Sequence, residues 1–194
     1  MRTRFVFAVF VGLILAALPA QGTILVYQTL EELASSSSEV ALGRVLAVEC
    51  LASRESKSVY TVVTLEVEET LKGSVQKGQQ IRIQFFGGER DGLAVRYTGM
   101  PVFRVGEEAV VFAKWKEADL YSLVGLSQGK VEITREGGEV RAIRRLAGIP
   151  ILVAGTQPKG LDMGKNEILS LDVLRERVRR SRGGESILEP RSAR

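Results

Sequence analysis

The chain of 194 residues contains no histidine, and cysteine, asparagine and tryptophan each occur once. Without histidine there is no ordinary general base near neutral pH, no Ser-His or Cys-His nucleophile pair and little basis for a catalytic zinc site. A lone Cys50 cannot close an internal disulfide, so the fold must rest on its core rather than on the cysteine framework of many small secreted domains. Asn166 is followed by Glu-Ile, which is not a glycosylation sequon. Long apolar runs are scarce as well. Phe5 to Ala17 is the longest, and it is shorter than the roughly 20 residues of a membrane span.

That run lies between Arg2 and Arg4 on one side and Ala20-Gln-Gly22 on the other, the layout of a cleavable export signal. Residues 1–22 are therefore expected to be a signal peptide and the protein to be periplasmic or extracellular, with no retained membrane span. Cleavage would remove two arginines, taking 27 basic residues to 25 against 23 acidic ones, so the net charge falls from +4 to +2. A field that weak does not predict nucleic-acid binding. Cys50 stands far from the cleavage site, which excludes lipid attachment there, and its neighbours Val48 and Leu51 suggest a small residue packed at a strand end.

Thr29-Leu-Glu-Glu32 matches a capping box and predicts a short helix from Leu30, with Leu30, Leu33 and Ala34 buried and the serines at 35–38 ending it. A first strand is expected over Thr23 to Gln28. Val40 to Val48 is apolar on both faces, as in a central or barrel strand, and Gly43 within it suggests a bulge or close backbone approach. Residues 51–58 are expected to be a loop. Thr61, Val63, Leu65 and Val67 alternate with a wetter face, and Ile81, Ile83 and Phe85 repeat the pattern. Further strands follow near Leu93 to Tyr97, Ala109 to Lys114 and Leu120 to Leu126. A hairpin joins Val131–Thr134 to Val140–Ile143 across Gly137-Gly138. Short strands with glycine punctuation predict a mainly β fold, a small closed or partly open antiparallel barrel with one short N-terminal and one C-terminal helix. The barrel is placed at 23–145, an extended arm and helix at 146–180 and a disordered tail at 181–194.

No catalytic, cofactor or metal residues are expected. The adjacent pairs Glu68-Glu69 and Glu107-Glu108 point to opposite faces of a strand and do not converge. Gly155 to Gly160 superficially looks like a phosphate loop, but Leu161 and Asp162 follow where Lys and Ser/Thr are needed. The arginines at 175, 177, 179, 180 and 182 read as the solvated face of a docked helix, with contact to an acidic or lipid surface the alternative. Met100, Phe103, Trp115 and Tyr121 are the candidate binding surface, with Trp115 the one placed for partial exposure.

The ordered set Thr29-Leu-Glu-Glu-Leu33, Gly43-Arg-Val45, Tyr60-Thr61, Leu71-Lys-Gly73, Gly87-Gly88, Gly99-Met-Pro-Val-Phe103, Gly106-Glu-Glu108 and Gly125-Leu-Ser-Gln-Gly-Lys130 spans roughly residues 23–135. It resembles a group of small secreted bacterial proteins of unassigned function. The progression from Gly-Arg-Val through a long strand to Leu-Lys-Gly, then a Gly-Glu-Glu strand, also resembles netrin-like domains, including the tissue inhibitors of metalloproteinases. The resemblance implies an OB-like barrel. The inhibitors' amino-terminal, disulfide-held cysteine has no counterpart here, so their mechanism does not carry over. The expected role is a non-enzymatic binding or accessory module for another exported protein or a cell-envelope component. A protease inhibitor or protease-associated domain, and a histidine-free hydrolase using two carboxylates, are the alternatives.

Overall fold

The computed structural model describes residues 25–53, 58–153 and 165–183, so the predicted signal peptide, residues 154–164 of the predicted arm and residues 184–194 of the predicted tail lie outside the described residues. The long strands β2 (Glu39–Ser53) and β3 (Ser58–Lys72) form an antiparallel pair. β4 (Gln80–Phe86) adds to β3, and β7 (Glu108–Glu117) adds to the other side of β2. The short β8 (Leu120–Leu123) then lies between β7 and β4, antiparallel to the first and parallel to the second. The ring β2-β3-β4-β8-β7 is thereby closed, a five-stranded OB-like barrel. The parallel β4–β8 pair is the exception to an otherwise antiparallel ring.

The sheet continues beyond the ring through β9 (Lys130–Glu136), β10 (Glu139–Arg144) and the edge strand β12 (Glu167–Ser170). Two small ribbons accompany it. β1 (Leu25–Val26) pairs in parallel with β11 (Ile151–Leu152), and β5 (Gly88–Arg90) turns back into β6 (Leu93–Val95). Of the predicted strand Thr23 to Gln28, Thr23 and Ile24 lie outside the described residues, and the strand ends at Val26, before Tyr27 and Gln28. Of the predicted loop at 51–58, residues 54–57 lie outside the described residues and the remainder is strand, because Leu51, Ala52 and Ser53 pair with Tyr60, Val59 and Ser58. Backbone pairing with a neighbour overrides the local polarity of that stretch.

Two cores share the strands β2 and β7. Ala41 and Val45 of β2 and Val111 and Ala113 of β7 face the barrel interior with Val63, Leu65, Ile81 and Ile83. Val40, Leu42, Val110 and Phe112 face the other way, onto helices α1 (Leu30–Ser36) and α2 (Leu171–Gly183). This is why Val40 to Val48 is apolar on both faces. Gly43 is required where β2 bends: a Cβ there would stand 2.3 Å from the Glu66 carbonyl oxygen and 2.8 Å from Leu65 Cγ, and the pairing register shifts beside it.

The capping box is formed as the sequence predicts. Thr29 Oγ1 accepts from the Glu32 amide at 3.1 Å, and Glu32 Oε2 accepts from the Thr29 amide at 2.7 Å. Helix α2 begins after Ser170, whose hydroxyl accepts from the Val173 amide, and buries Leu171, Leu174 and Val178. Residues 181–183, predicted as tail, continue this helix. No helix among the described residues is long and apolar enough to cross a membrane.

Candidate functional site

Alternation along β4 turns Ile81, Ile83 and Phe85 into the barrel and therefore sends Arg82, Gln84 and Phe86 outward. Phe86 is directly opposite Tyr60 of β3 in the register, and their rings meet at 4.7 Å between centroids. Phe86 is still 58% exposed. Beyond β6 the chain returns over this end of the barrel, bringing Tyr97, itself 50% exposed, together with Thr98 and Met100. Lys116 of β7 and Ser122 of β8 close the far side. The result is an open groove of about 670 Å³ on the outer wall of β3, β4 and β8. Tyr97 and Met100 also border a smaller hollow of about 420 Å³ beside the β5–β6 hairpin.

The groove has a predominantly apolar floor. Its cation, Lys116, donates from Nζ to Gln84 Oε1 at 3.0 Å. No aspartate or glutamate is among the described residues that line it.

The four residues anticipated from sequence do not form one surface. Met100 lines the groove. Phe103 is 7% exposed inside the barrel, its ring 5.9 Å from Phe85 and 4.6 Å beneath Lys130 Nζ. Tyr121 is also interior, and burial raises the pKa of its phenol, with Glu39 and Asp119 adding to the shift. Inward alternation on β8 places it there, since Leu123, two residues on, also faces the core. Trp115 is 56% exposed at the β7–β8 turn, where its indole N–H donates to the Ala118 carbonyl at 3.1 Å. Tyr60, Phe86 and Tyr97 were missed. Phe86 had a readable signal, since a strand with Phe85 inward must present Phe86 outward.

Many of the charged groups elsewhere are paired. Glu108 meets Arg44 at 2.6 Å and Arg135 at 2.9 Å; burial pushes its pKa up, but the two guanidinium groups pull harder and leave it lowered. Glu107 meets the buried Lys130 at 2.7 Å. Glu69 binds Arg175 and Glu31 binds Arg177, while Arg179 and Arg180 share Glu176. All four arginines are engaged with carboxylates, but the expected solvated face holds only for Arg179 and Arg180, since Arg175 and Arg177 are partly buried where α2 meets β3 and α1. Cys50 lies within β2 as a free thiol, its Sγ 3.7 Å from Thr61 Oγ1. No group of three or more metal-ligating side chains occurs among the described residues.

Compared with models of known protein families the sequence matches none, and comparison with curated proteins returns no match.

Proposed function

We propose that the protein is an exported, non-enzymatic binding module whose ligand site is the groove between Phe86, Tyr97 and Lys116. One observation carries the reading: large aromatic side chains stand exposed around a hollow that holds no carboxylate, whereas the glutamates at 31, 69, 107 and 108 are each tied to a cation. A two-carboxylate hydrolase needs a pair of acids facing a cleft. A binding site needs an apolar concavity with a few placed polar groups. Kinship with netrin-like domains belongs to the same proposal and draws support from the OB-like ring order.

Thermal denaturation against a panel of amphiphiles, oligosaccharides and peptides tests the reading. At least one class should raise the melting midpoint, as any ligand selective for the folded state must, and Phe86→Ser should remove that rise. A panel without effect, or a rise indifferent to Phe86→Ser, refutes the groove as the site. Export is tested separately by mass spectrometry of the secreted protein, whose amino terminus should lie at or near Thr23.

A further inference from the structure

The chemistry of the occupant follows from the groove's one cation, and the inference rests on the binding-module reading above. Around the barrel Arg44 meets Glu68 and Glu108, Arg135 also meets Glu108, and Arg82 meets Asp119. Lys116 differs. Its Nζ has a neutral acceptor, the Gln84 amide oxygen, and no carboxylate contacts it among the described residues. An ammonium group held at the edge of an apolar hollow without a counter-ion is complementary to a ligand that brings its own anion.

We infer that the groove binds a small amphiphilic carboxylate, with its anionic head on Lys116 and an alkyl or ring body laid between Phe86 and Met100. A volume near 670 Å³ suits a single small molecule rather than a polymer. Methionine beside aromatic rings gives a surface that adapts to an irregular apolar body. An oligosaccharide is matched less well, because the lining is mostly apolar and the Gln84 carbonyl is already engaged by Lys116. A single-stranded nucleic acid needs a track of cations along its backbone, and this groove presents one.

Three ten-carbon probes separate the possibilities: decanoate, decan-1-ol and decyltrimethylammonium, each titrated into the full chain below its micelle concentration or, for the alcohol, its solubility limit. Carbon-13 labelling of the methionine methyl groups reports occupancy, since Met100 lines the groove. Decanoate should shift the Met100 resonance and bind about fivefold more tightly than decan-1-ol, the scale of an exposed ion pair at its upper end. Lys116→Gln should erase that difference without weakening decan-1-ol binding. Phe86→Ser should weaken both; its side chain is exposed, so the variant should fold. Equal binding of acid and alcohol, preference for the ammonium probe, or insensitivity of decanoate to Lys116→Gln each overturns the inference. If the probes fail while another ligand class binds in a Phe86-dependent way, the carboxylate assignment falls and the binding reading stands. If nothing binds, both fall.

Discussion

Removing the charge of Arg144 and removing the charge of its partner Glu167 should not cost the same. Arg144 is fully buried, with Nε 2.8 Å from Glu167 Oε2, Nη1 donating to the Gln28 carbonyl at 2.9 Å and Nη2 to the Tyr27 hydroxyl at 2.8 Å. It thereby ties the strand β10 to the segment that follows β1 and to the edge strand β12. Breaking a buried ion pair costs about 3–5 kcal/mol, chiefly because it leaves an uncompensated charge. Arg144→Met leaves Glu167 with Arg177 at 2.9 Å and with partial exposure, so the cost should sit near the lower end, about 3 kcal/mol. Glu167→Gln leaves the guanidinium buried with neutral partners only, so it should cost more, about 4–5 kcal/mol. The double variant lacks both charges and should be much less unstable than the sum of the singles. Urea denaturation of the four proteins gives the cycle directly. Additive losses, or Arg144→Met costing more than Glu167→Gln, would refute the assignment of Arg144 as a buried charge held by Glu167.

Gly43→Ala should destabilise by roughly 3 kcal/mol in the same assay, since the added methyl meets the Glu66 backbone and β3 must move away. Leu65→Ala should cost about 2–5 kcal/mol, as Leu65 is fully buried in the barrel, whereas Glu66→Ala should change little; the reverse ranking would mean a register error of one residue. The Glu31 carboxyl is held below its ordinary 4.5 chiefly by the hydrogen bond from Arg177. A depressed folded-state pKa contributes stability above that ordinary value and loses it as pH falls through the lower folded value, so the wild type should lose stability below about pH 4.5 more steeply than Glu31→Gln. Solvent exposure of the pair keeps the difference below about 1 kcal/mol, and denaturant midpoints between pH 3 and 7 measure it.

Features written in adjacent residues were legible. The Thr29 capping box, the buried face of α1, the inward alternation of Val63 and Leu65 and the tight approach at Gly43 each depend on local spacing or on a single missing side chain. What escaped depends on chain segments far apart in sequence. The β2–β3 pairing through Ser53 is set by cross-strand hydrogen bonds that polar residues make as readily as apolar ones. Ring closure needs β8 to lie beside β4, more than thirty residues earlier. Arg144 looks like a solvated charge in a hairpin strand, and only the return of Glu167–Ser170 as β12 supplies Glu167 and makes its burial tolerable. For the site, Met100 was anticipated, while Tyr60 and Tyr97 join it only because β3, β4 and the segment after β6 converge.

The division of the barrel wall gives Phe86 its significance. The helices cover Val40 and Leu42 of β2 and Val110 and Phe112 of β7, and these side chains are buried. The outer face of β4 has no such cover, and its other outward residues, Arg82 and Gln84, are polar. Phe86 breaks the pattern with a phenyl ring 58% exposed, beside Tyr60 and within the groove. Its stabilising contact is one cross-strand aromatic pair, worth at most about 1 kcal/mol, while its neighbour Phe85 is 8% exposed in the barrel core. Phe85→Ser should therefore cost at least 3 kcal/mol, roughly the scale of a buried phenylalanine truncation, and Phe86→Ser no more than about 1 kcal/mol. On the proposed binding role, a ring that contributes so little to stability yet stays in water would have its reason in what it contacts when the groove is filled. If urea midpoints show Phe86→Ser to be as damaging as Phe85→Ser, the ring is structural and its exposure no longer argues for a ligand.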